Sequence, residues 1–138
     1  MPLHRCVAAI SDCLDFPTGE KMIIEQLSIC APKGQRQAIG SALATLIGPT
    51  QVQSGCLKCR LLQGWQDPDE LVVEANWATA EDLIRHLQSD TYKRLLLLME
   101  LSPVAPVIQF CTVQEISGLD LVQKARVKQF EGTTTNLE

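Results

Sequence analysis

The chain has no excess of positive charge, no long apolar run and only two histidines. Each shortage excludes something. A formal net charge of -4 leaves no basic surface to neutralise phosphates, so nucleic acid is not an expected partner. A bilayer span needs about 20 consecutive apolar residues, and the oiliest stretch, residues 95–99, is far shorter, so no membrane partner is expected. Residues 6–10 are too short an apolar patch for a secretory signal and Asp12 follows at once, so the chain is read as cytoplasmic with its six cysteines reduced. Glycine-rich phosphate loops, a serine nucleophile elbow and paired catalytic carboxylates are missing.

What is present is a single-domain length of 138 residues with two clear periodicities. Residues 1–21, broken by Pro2, Pro17 and Gly19, read as an N-terminal extension. The folded domain is expected over residues 22–128, with a loose tail over 129–138. Residues 22–30 alternate as a strand, with Ile23, Leu27 and Ile29 on one face. Glu25 interrupts that face, which is therefore expected not to be uniformly buried. Residues 35–47 form an amphipathic helix through Ile39, Ala42, Leu43, Leu46 and Ile47, stopped by Gly48-Pro49. Residues 56–64 and 70–77 form a hairpin around the turn Asp67-Pro68-Asp69. Thr79 caps a helix that buries Ala80, Leu83, Ile84 and Leu87. Ser89 or Asp90 caps another, carrying Tyr92, Leu95, Leu96 and Met99. Residues 104–116 form a fourth strand, and residues 119–128 a short terminal helix.

The order strand, helix, strand, strand, helix, strand is the ferredoxin-like α+β arrangement: a four-stranded antiparallel sheet with helices on one face. Its other face would be left open. A half-apolar open face in a domain this small predicts a homodimer through the sheet.

Few residues offer chemistry. His86 lies about 110° from the centre of its helix's apolar stripe, so it borders the core. Trp77 shares a strand face with Val73 and Ala75, whereas Asn76 shares the opposite one with Val72 and Glu74. Tyr92 aligns with the core positions of its helix, and Arg94 could hold an anion. Cys56 and Cys59 are three apart in a strand, so their thiols should diverge. No second cysteine pair completes a zinc site, and no metal is expected.

The runs GCLKCRLLQG, DPDE, LVVEANW and ATAEDLIRHLQSDTYKRLL (residues 55–64, 67–70, 71–77 and 78–96) resemble the central part of antibiotic-biosynthesis-monooxygenase domains. The matching positions are Gly55, Cys56, Trp77, His86, Ser89 and Tyr92, and the resemblance covers residues 22–116. It implies a dimeric α/β barrel with a pocket between sheet and helices, and for some relatives O2-dependent oxidation of quinols or phenols without metal or flavin. On that reading His86, Trp77 and Asn76 are the candidate catalytic residues and Gln26, Tyr92 and Arg94 the candidate substrate contacts. No cofactor is expected, and the ligand is a small aromatic molecule. His86 would serve as base, Trp77 would stack and donate its N–H, and Asn76 would donate or accept. The alternatives are a non-catalytic dimeric binding module and haem degradation. The last is weakened because relatives of that kind carry Asn on the first strand where Gln26 is the nearest amide here.

Overall fold

The computed structural model describes the backbone of residues 21–136 and the side chains of residues 21–127. Residues 1–20 of the expected N-terminal extension lie outside the described residues. Four strands and four helices follow in the order β1 (Ile23–Cys30), α1 (Arg36–Gln51), β2 (Cys56–Gln63), β3 (Glu70–Trp77), α2 (Ala80–Leu87), α3 (Asp90–Met99), β4 (Val107–Thr112) and α4 (Leu119–Asn136). The strands make one antiparallel sheet in the order β2-β3-β1-β4, the ferredoxin-like topology expected from the sequence.

Alternation along the strands builds the core. Ile23, Leu27 and Ile29 of β1 and Leu71, Val73, Ala75 and Trp77 of β3 are buried on one face, where they meet Leu43, Leu46, Leu83, Leu95 and Met99 from the helices. The caps read from sequence are in place. The Thr79 hydroxyl accepts from the Asp82 N–H at 3.1 Å, and the Ser89 hydroxyl from the Tyr92 N–H at 3.2 Å.

Several boundaries differ from expectation. Helix α1 continues through Gly48-Pro49 to Gln51. Pro49 falls in the last turn, where one N–H is lost, and Thr50 beyond it is buried with its hydroxyl donating to the Leu46 carbonyl at 2.8 Å. Strand β4 is shorter than residues 104–116 because its pairing with β1 runs only from Val107 to Thr112, and Pro106 cannot donate to the ladder. Helix α4 passes residue 128 and runs through Gly132 and the threonines of the expected tail. Extending a helix costs less than nucleating one. Ile84 and Leu96, both expected in the core, are exposed. No described helix is long and apolar enough to cross a membrane.

Candidate active site

The sheet places one charged side chain against the helices. Glu25 is only 2 % exposed, so the interruption in the β1 pattern is buried rather than a break in burial. Across the sheet, β1 pairs with β3 so that Ile23 faces Trp77 and Glu25 faces Ala75. All four side chains project to the helix side. The Trp77 indole N–H donates to Glu25 Oε1 at 3.2 Å. His86 Nε2 lies 3.3 Å from the same oxygen. Glu25 Oε2 is buried without a hydrogen-bond partner.

His86 is itself only 3 % exposed, deeper than its helix angle suggested. It closes over Trp77, with ring centroids 4.4 Å apart and planes at 25°. Tyr92 meets it edge-on at 5.1 Å. Its second nitrogen, Nδ1, is 2.7 Å from the side-chain oxygen of Gln53. Burial, assisted by the Glu25 charge, pushes the Tyr92 hydroxyl up from its ordinary value, so Tyr92 is a donor at neutral pH rather than a base.

A cleft of about 200 Å³ opens beside this group, lined by Gln53, Ser54, Asp82, Arg85, His86 and Ser89. His86 therefore joins this cleft to a buried carboxylate. Gly55 shapes the wall. Its φ is +81°, and a Cβ there would fall 2.1 Å from the Asp82 carboxylate. Only glycine suits both the conformation and the close approach. Asp82 is in turn held by the Thr79 hydroxyl at 2.8 Å and by Arg85 at 3.0 Å.

Of the sequence candidates, Trp77, His86 and Tyr92 are brought together. Asn76 and Gln26 are not: both lie on the opposite, open face of the sheet. There Gln26 donates to Glu74 at 2.9 Å and the Asn76 side-chain oxygen is buried without a partner. Arg94 is exposed on α3. The first-strand residue that meets Trp77 and His86 is Glu25. Its signal in the sequence was a lone charge on an otherwise apolar strand face. Gln53 lies in the connection after α1, and no local pattern marks it.

The cysteine expectation is corrected. A bulge between Cys56 and Lys58 sets Cys56 opposite Trp77 and Cys59 opposite Ala75, so both thiols lie on the helix side. Burial, the neighbouring Cys56 and Glu25 push Cys59 up to about 12. Burial, with Glu25 adding, raises Cys56. Both are free thiols. Among the described residues no group of three or more His, Cys, Asp or Glu side chains could hold a metal ion.

The sequence profile described as antibiotic biosynthesis monooxygenase matches residues 22–96. Solved structures share the fold at low identity. A Shewanella oneidensis protein is 18% identical, with a TM-score of 0.63 over 69% of this chain and 93% of its own. A Caulobacter crescentus protein, named as a candidate antibiotic biosynthesis monooxygenase, is 19% identical, with a TM-score of 0.62 over 70% of this chain and 92% of its own. A Nitrosomonas europaea protein of the same description is 14% identical, with a TM-score of 0.63 over 75% and 99%. No curated protein sequence matches the chain.

Proposed function

The chain belongs to the antibiotic biosynthesis monooxygenase family, and from that premise we propose that it oxidises a small quinol or phenol with O2, using His86 as the base. The observation that carries the reading is the position of His86. One ring nitrogen faces the buried Glu25 carboxylate, and the other faces Gln53 at the edge of a cleft. Deprotonating a hydroquinone makes it electron-rich enough to reduce O2. Hydroquinone plus O2 gives a hydroxyquinone plus water, so the substrate supplies its own electrons and no cofactor is called for. Trp77 backs the imidazole, and Tyr92 can donate a hydrogen bond to developing negative charge.

The cleft narrows the substrate. At about 200 Å³ it falls below the 300–1,000 Å³ usual for drug-sized ligands, which favours one aromatic ring over two. Its exposed wall is mostly carbon, and the side chains of Gln53, Ser54, Asp82, Arg85, His86 and Ser89 around it offer hydrogen bonds to a hydroxyl-bearing ring. Trp77, expected to stack on the substrate, is fully enclosed. That enclosure favours the second reading, a binding module without turnover.

The same proposal includes a homodimer through the open sheet face. There Ile24, Leu62 and Val72 stay half-buried around the Gln26–Glu74–Arg60 network, a mixed surface of the kind that symmetric interfaces use.

The test is O2 uptake by metal-stripped protein with hydroquinones and naphthols, autoxidation subtracted, beside His86→Ala and Trp77→Phe. Protein-dependent uptake that prefers single-ring substrates and drops in both variants supports the reading. Uptake at background across the panel transfers the weight to the binding module.

A further inference from the structure

We infer that Glu25 is a positioning residue that holds the Nε2 edge of His86 and leaves Nδ1 as the base, with Gln53 as the amide that covers Nδ1 until substrate displaces it. The inference rests on the reading of His86 as the base. Three observations carry it.

First, Glu25 Oε1 binds both the Trp77 N–H and the His86 Nε2 edge, at 3.2 and 3.3 Å. One oxygen thus fixes the two rings that stack on each other, the role a buried carboxylate plays behind a catalytic imidazole.

Second, the far side of the imidazole is met by a side-chain amide and not by a second charge. An amide offers an acceptor and donors on one planar group. By turning over, Gln53 can accept from Nδ1–H or donate to an unprotonated Nδ1, so it fits either tautomer of the ring.

Third, Glu25 Oε2 is buried without a partner. A buried carboxylate with one oxygen unpartnered is incompletely satisfied, and a positive charge forming on the adjacent imidazole supplies the missing interaction.

The step is a proton transfer with charge conserved. The substrate hydroxyl displaces the Gln53 amide from Nδ1 and gives its proton to Nδ1. The Nε2–H bond stays intact and points at the Glu25 carboxylate. The imidazole ends as imidazolium beside that carboxylate, and the substrate oxygen carries the matching negative charge.

Two readouts test it. In steady-state O2 uptake with hydroquinone, Glu25→Gln should lower kcat on the order of 100-fold, the scale of general base catalysis, with KM changed less than about threefold. Glu25→Asp should recover part of the loss. Glu25→Gln combined with His86→Ala should be no slower than His86→Ala alone, because Glu25 acts only through the ring. Independently of turnover, 15N spectra of protein carrying His4→Gln report the remaining imidazole. Adding hydroquinone without O2 should protonate Nδ1 while Nε2 keeps its proton in that protein, and not in its Glu25→Gln derivative. A folded Glu25→Gln protein with kcat within twofold of wild type, additive losses, or the same 15N response with and without Glu25 would overturn the inference. If wild type consumes no O2 with any substrate, the proposed function fails, and the 15N response decides the role of Glu25 by itself.

Discussion

The indole of Trp77 lies 4.4 Å from the imidazole of His86, nearly parallel to it, and both rings are closed off from solvent. Replacing Trp77 therefore tests packing and site together. Trp77→Ala should cost about 3–5 kcal/mol of stability, the usual scale for deleting a buried aromatic. Trp77→Phe should cost less while removing the N–H that reaches Glu25. Urea denaturation of the two variants, followed by circular dichroism, measures both.

Gly34 and Gly55 share a left-handed conformation, with φ of +80° and +81°. They differ in surroundings. Nothing lies within 4 Å of a Cβ built on Gly34, whereas one on Gly55 strikes Asp82. Gly34→Ala should cost about 1 kcal/mol from backbone strain alone. Gly55→Ala should cost clearly more and also displace the α2 cap, since Asp82 accepts from Thr79 and Arg85. Parallel thermal melts separate the two effects.

Cys59 is 5 % exposed, and its thiol is pushed up to about 12. Alkylation requires the thiolate. Iodoacetamide at pH 8 should leave Cys59 unmodified in the folded protein and label it once denaturant is added. Peptide mapping by mass spectrometry reads this directly. Rapid labelling in native buffer would contradict the burial.

The open sheet face predicts a dimer at micromolar concentration by light scattering. Arg60→Glu places a second carboxylate beside Glu74, which Arg60 now meets at 3.0 Å. This should weaken the dimer more than the monomer fold. A wild-type monomer would contradict the assignment of that face.

Hydrogen bonds from Gln26 and then Arg60 outweigh partial burial and hold Glu74 below its ordinary value of 4.5. A depressed folded-state value means that the contribution to stability is complete above the unfolded value and fades as pH falls through the folded one. Glu74→Gln should therefore flatten the loss of stability below about pH 4.5 and lower stability at neutral pH. Denaturation midpoints across an acid pH series give the comparison.

Local pattern was enough for the order of elements. Period two marked β1 and β3, period 3.6 marked α1, and the hydroxyls of Thr79 and Ser89 marked two helix starts, because each of these depends on residues close in sequence. Resemblance to a family, and not local pattern, brought Trp77, His86 and Tyr92 forward as candidates. Pairing across the sheet decided the rest. Glu25 reads locally as a flaw in a strand, and it becomes the centre of the candidate site only when β3 brings Trp77 beside it and α2 lays His86 over both. Asn76 and Gln26 were separated from that site by the alternation of their strands. A bulge with no trace in the period turned Cys56 and Cys59 to one side. Sequence spacing fixes which neighbours share a face. Which distant side chains meet on that face depends on register and helix docking, and these are set by long-range packing that no local window contains.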